Sequence, residues 1–259
     1  MITYDTAGAP GAGQNIVLLH STVCDRRMWD AQWRALAEAG HHVLRGDFRG
    51  FGDTPCTGEP YNDADDVLAL MDAVGMDRAV LVGASYGGRT ALEIAVRAPG
   101  RVAALVLLCA GLPGVPESPE LTAFEEREVE LVERGDLVEA SFLVARTFLG
   151  PEADEATLKA VAAMQEQAYE IQLAGADDNW GDGDFDPGVL LDLEVPALVV
   201  SGAHDLPDFH EAADRQTALL PLAHREHLPW AGHLPGLERP EEITALLTGF
   251  LAETARRAG

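Results

Sequence analysis

Short apolar runs alternate with longer amphipathic stretches along the first 111 residues. IVLLH (from Ile16), HHVLRGD (from His41), AVLVG (from Ala79) and VAALVLLCAG (from Val102) have the length and apolar character of buried strands in a parallel sheet. Helical patterns lie between them. One spans about 28–38 and stops at Gly40. NDADDVLALMDAVG (from Asn62) has acidic residues in its first turn, with Val67, Leu70, Met71 and Val74 on one face. RTALEIAVRA (from Arg89) is closed by Pro99 and Gly100. Such alternation predicts an α/β architecture, a mostly parallel central sheet flanked by helices.

The rhythm breaks at Leu112. From there to about Leu190 the pattern is helical and acidic, with candidate helices over 121–133, 137–148 and 156–173. Alternation resumes at PALVVSG (from Pro196), followed by a helix from about Phe209. Asp208 and Glu211 have capping-box spacing there. HREHL (from His224) is a last strand candidate. PEEITALLTGFLAETA (from Pro240) is a closing helix with proline in its first turn. The organisation expected is one core domain in two parts, 1–111 and 191–259, interrupted by a helical cap insertion at 112–190.

Composition narrows the function classes. The 259 residues are 47% hydrophobic, which suits a globular core. No apolar run approaches the roughly 18 residues of a membrane span, and the N-terminus lacks a signal-peptide pattern. The three cysteines, Cys24, Cys56 and Cys109, read as reduced thiols of a cytoplasmic protein. The formal net charge is −25, from 18 basic and 43 acidic residues. It argues against nucleic acid, anionic membranes and polyanionic substrates as partners, and leaves a small-molecule substrate. Oligomeric state is open.

Candidate chemistry centres on GASYGG, between the strand AVLV and a helical pattern. Small residues let a chain turn sharply, and a serine on such a turn projects its hydroxyl past the carboxyl ends of the strands. Gly83–Ala84–Ser85–Tyr86–Gly87 fits G-x-S-x-G in the context that motif requires. Serine needs a base to become a nucleophile, and the base needs a third group to hold it. Among eight histidines, His233 lies in a Gly/Pro-rich loop, WAGHLPG, between the last strand and the last helix. Asp205 ends SGAHD, just past PALVV. The chain order Ser85, Asp205, His233 is nucleophile, acid, base. His41, His42, His224 and His227 fall in strand-like segments and read as packing or surface residues.

These motifs together resemble the α/β-hydrolase family, in its serine-nucleophile, esterase- and lactonase-like branch. GDFRGFGDT (from Gly46) resembles the loop after the second main strand, GASYGG the nucleophile elbow, SGAHD the acid turn and AGHLPGLERPEE the histidine loop. The resemblance implies an oxyanion site built from the Thr22 and Tyr86 N–H groups. In LLHSTVCDRRMW, Ser21 stands where the family usually has glycine; Ser21 is expected to tolerate the bend, and His20 to order the loop by hydrogen bonding. Where some members place the acid, this chain has Cys109, Ala110 and Gly111. With the strand-like ITYDT so near the start, the sheet is expected to lack the family's first edge hairpin.

The reading is a serine hydrolase of a small or medium, mostly neutral ester or lactone, needing no cofactor and no metal. Carbon–carbon bond hydrolysis, acyl transfer, perhydrolysis and a non-enzymatic ligand-binding role use the same residues. Ser21 and Trp180 are candidate substrate contacts. DDNWGDGDFD (from Asp177) lacks the glycine and glutamate of a calcium loop and reads as a solvated acidic hinge. Arg26 and Arg27 read as a surface helix start.

Overall fold

The computed structural model describes residues 2–175 and 184–258. A seven-stranded sheet runs in the order β1-β3-β2-β4-β5-β6-β7. Its strands are β1 (Tyr4–Ala7), β2 (Asn15–Leu19), β3 (His42–Gly46), β4 (Ala79–Ala84), β5 (Val102–Leu108), β6 (Ala197–Gly202) and β7 (Ala223–Leu228). All neighbours pair in parallel except β1, a single antiparallel edge strand on β3. β4 is buried along its whole length, as its unbroken apolar run requires.

Alternate residues of each strand feed two cores. On one face Leu18, Val82, Val106 and Val200 pack with Leu36 of α1 (Asp30–Glu38) and Leu247 of α9 (Pro240–Ala258). On the other, Leu19, Leu81, Leu107 and Val199 pack with α2 (Asp63–Ala73), α3 (Tyr86–Arg97) and α7 (Pro207–Leu219). Between β5 and β6 stand α4 (Pro119–Glu133), α5 (Leu137–Phe148) and α6 (Glu155–Ala174), with no strand among the described residues of 112–190. α8 (Pro235–Glu238) is a single turn before α9. No described helix is long and apolar enough to cross a membrane.

Three local expectations change. The 28–38 pattern divides into a 3-10 turn (Arg26–Trp29) and α1. α3 starts at Tyr86, so the GASYGG turn leads directly into the helix. The Asp208–Glu211 capping box does not form. α7 begins at Pro207 with Leu206 as an uncapped N-cap, while Asp208 accepts the Ser118 N–H at 2.7 Å and the Ser118 hydroxyl at 2.5 Å. A longer-range partner outcompeted the local cap, because Ser118 itself caps α4 and brings its amide and hydroxyl to Asp208 together.

Candidate active site

Ser85 sits at the carboxyl end of β4 with φ 53° and ψ −117°, a conformation that favours glycine. The backbone holds it there. Its N–H donates to Leu108 O at 2.9 Å, and its carbonyl accepts the Gly88 N–H at 3.0 Å and the Gly111 N–H at 3.2 Å. The small neighbours are a packing requirement. A Cβ on Gly83 would lie 2.3 Å from Gly87 O, and one on Gly87 would lie 2.4 Å from Leu19 O. Strand, turn and helix therefore meet backbone to backbone. Tyr86 opens α3, so its N–H points out of the helix's positive end.

His233 is 1% exposed, and its Nδ1 lies 2.8 Å from Asp205 Oδ2. The other carboxylate oxygen accepts the Leu206 N–H at 2.8 Å, which fixes the carboxylate plane. Nδ1 therefore carries the proton and Nε2 is left as the basic nitrogen. The His233 N–H donates to Phe148 O at 2.8 Å, at the end of α5. Phe148 and Phe209 flank the ring at centroid distances of 4.8 and 4.0 Å. Ser85 and His233 line one cavity of about 600 Å³, together with Thr22 and residues of α4 and α6. Among the described residues no direct hydrogen bond joins the Ser85 hydroxyl to His233, a looseness common before substrate binds.

The loop after β2 is held as expected of His20. Its Nε2 accepts the Phe48 N–H at 2.8 Å, so Nδ1 donates to Ser21 O, also at 2.8 Å. Burial lowers its pKa and keeps the ring neutral, as this double role requires. Thr22 lies on the cavity wall, and its N–H has no partner among the described residues. Ser21 is fully buried and absent from that wall. Its hydroxyl accepts the Val23 N–H at 3.4 Å, so it shapes the loop instead of meeting substrate. Trp180 lies outside the described residues, as does all of the acidic hinge from 177 to 183. Of the rest of that hinge, Asp184 pairs with Arg89 and Asp186 accepts the Gly188 N–H at 2.9 Å. Arg26 does start a helical turn, but its side chain is mostly buried. Its guanidinium is 16% exposed and spans Asp5, Asp47 and Asp53.

Two further residues at the site are given no role by the sequence. Glu238 accepts the N–H groups of Gly232 and Gly150, pinning the histidine loop to the segment after α5. Burial pushes its carboxyl upward. Cys109 has φ 47°, and its thiol faces Gly232 O at 3.6 Å. Ligand atoms of Cys109, Asp205 and His233 lie within 4.8 Å of one another. Burial and the Asp205 charge hold the thiol protonated, while Asp205 and His233 are bonded to each other. The Glu238–Gly150 and Cys109–Gly232 contacts join segments 88 and 123 residues apart, so no local pattern announces them.

The comparisons agree with this architecture. The model of the alpha/beta hydrolase family matches residues 16–246. The provisionally named carbamate hydrolase RutD of Caulobacter vibrioides is 28% identical over 96% of this chain and 94% of its own length. A thermophilic esterase of Thermogutta terrifontis superposes with a TM-score of 0.80 at 25% identity, covering 98% of this chain and 93% of that one. The enol-lactonase of Burkholderia xenovorans LB400 gives 0.77 at 26% identity, over 97% and 96%. With the family's sheet, a strained serine at its elbow and a match across most of its length, the chain belongs to the alpha/beta hydrolase family.

Proposed function

We propose that the chain is a serine hydrolase of a small or medium carboxylic ester or lactone bearing no negative charge, working through an acyl-enzyme on Ser85. The observation that carries this is the Asp205–His233 pair at 2.8 Å facing the same cavity as the strained Ser85. His233 Nε2 takes the Ser85 proton as Oγ attacks the acyl carbonyl. The Thr22 and Tyr86 N–H groups receive the oxyanion, and Asp205 stabilises the imidazolium. His233 then protonates the leaving alcohol. Water then gives His233 a proton as its oxygen attacks the acyl carbon; the bond to Ser85 Oγ breaks, Oγ takes that proton back, and the acid leaves. The helical segment 112–190 acts as the cap over this chemistry. A carbamate presents the same carbonyl, and the 28% identical RutD relative makes it the second substrate class to test.

The test is a panel of esters, lactones and carbamates with the full chain and with Ser85→Ala. Turnover is expected to fall about a thousandfold or more in the variant, and a phosphonate probe to label Ser85. Undiminished turnover in Ser85→Ala would place the chemistry elsewhere. A competing alcohol separates hydrolysis from acyl transfer by the product formed.

A further inference from the structure

Residues of α4 and α6 form part of the wall of the cavity that Ser85 lines, and every charged side chain among them is a carboxylate. Glu125, Glu128 and Glu133 of α4 line it, and none of them forms an ion pair among the described residues. No lysine or arginine is among the described lining residues. Glu128 is half-buried and oriented: one of its oxygens accepts the Tyr169 hydroxyl of α6, and the other has no partner among the described residues. An independent feature points the same way. Gln165, also on α6 and on this wall, is 5% exposed, and its Oε1 has no hydrogen-bond partner among the described residues. A buried acceptor without a donor is costly, and its presence beside a cavity marks the place of a ligand donor. Phe124, Phe148 and Phe209 also line the cavity, in edge-on contact with one another along the series.

From this placement we infer that the cavity recognises substrates carrying an ammonium group, with Glu128 and Gln165 as its acceptors and the neighbouring aromatic wall enclosing its alkyl part. The inference rests on the ester reading and names the substrate class for it. An ammonium brings N–H donors or a positively charged alkyl surface, and no anion. An ammonium with N–H groups satisfies the Gln165 carbonyl; either kind neutralises a carboxylate that burial disfavours and suits aromatic faces. A carboxylate-bearing substrate would instead meet three like charges.

Two measurements test this on the full chain. In the first, butyrylcholine is compared with neohexyl butyrate, its uncharged carbon isostere. Methyl aminohexanoate is compared with methyl heptanoate, which places the charge on the acyl side. A preference in kcat/KM of about tenfold or more for the charged member of either pair is expected, from charge and aromatic contact in butyrylcholine and from a charge-assisted hydrogen bond as well in the aminohexanoate. Glu128→Gln and Glu125→Gln should each lower that ratio, Glu128→Gln by about tenfold, and Glu128→Asp should restore part of it. Because the ratio is read within one variant, a loss of folded protein cancels. The second measurement needs no turnover. Calorimetric binding to Ser85→Ala is expected in the order benzylammonium, benzyl alcohol, benzoate. If no ester reacts, the ester reading fails while this order still decides the ammonium site. Ratios near one in both pairs, or benzoate binding as well as benzylammonium, would overturn the inference.

Discussion

At the scale of single residues, the strain is concentrated where chemistry is proposed. The only described non-glycine residues with positive φ are Ser85 and Cys109, at the ends of adjacent strands β4 and β5. Both are held by backbone hydrogen bonds, so neither conformation depends on its side chain. Asp205 has a different task. It holds one tautomer of His233 through Oδ2 and is itself held by the Leu206 N–H through Oδ1. Asp205→Asn keeps the shape but offers the wrong partner to Nδ1. A fall in kcat of about ten-thousandfold, with a far smaller change in KM, is the expected result of steady-state kinetics. Ser21 gives the opposite expectation. Among the described residues the Val23 N–H is its hydroxyl's one hydrogen-bond partner, and its carbonyl is fixed by His20, so Ser21→Gly should shift kcat by less than about tenfold. A hundredfold gain would mean that the native loop is badly formed.

At the scale of elements, the elbow works because β2, β4 and α3 approach without side chains between them. Gly87→Ala would press a Cβ to 2.4 Å from Leu19 O, a backbone atom that cannot rotate away. A loss of about 3 kcal/mol in urea unfolding is expected, with activity lost in step as β2 and its Thr22 loop shift. The α2–α3 contact carries a pH signature. Burial raises Asp63 from an ordinary 3.8 to about 6, even though Tyr86 OH donates to it at 2.7 Å. Between those values the native state binds the extra proton, so stability declines as pH rises through that window, and the penalty is complete above it. Asp63→Asn keeps an acceptor for Tyr86. It should gain about 2–3 kcal/mol over the parent at pH 8, with the gain vanishing near pH 4, in paired denaturation curves. What the sequence made legible divides along the same line. The elements β2–β7, the helices of 112–190 and the order Ser85, Asp205, His233 follow from local periodicity and turn chemistry. Glu238 on Gly150, Asp208 on Ser118 and Tyr169 on Glu128 do not, since each pairs residues that only the finished fold makes neighbours.

At the scale of the whole molecule, charge is the dominant unbalanced quantity. Arginines are largely committed to carboxylates, as in the partly buried Arg26 network, and the formal surplus of −25 is left to repel itself. Salt screens exposed charges within about 10 Å at 0.1 M, while partly buried pairs are screened much less. Added sodium chloride should therefore relieve more repulsion than it costs in ion pairs, and Tm should rise with ionic strength. Each kcal/mol recovered corresponds to about 2–4 °C in a chain of this size. The same field concentrates cations near the cavity and depletes anions. For butyrylcholine, kcat/KM should fall as salt is raised; for neohexyl butyrate it should stay flat. Tm falling with salt would show that the ion pairs, not the surplus charge, govern stability. A flat salt profile for the cationic ester would confine its recognition to short-range contacts with Glu128 and the aromatic wall.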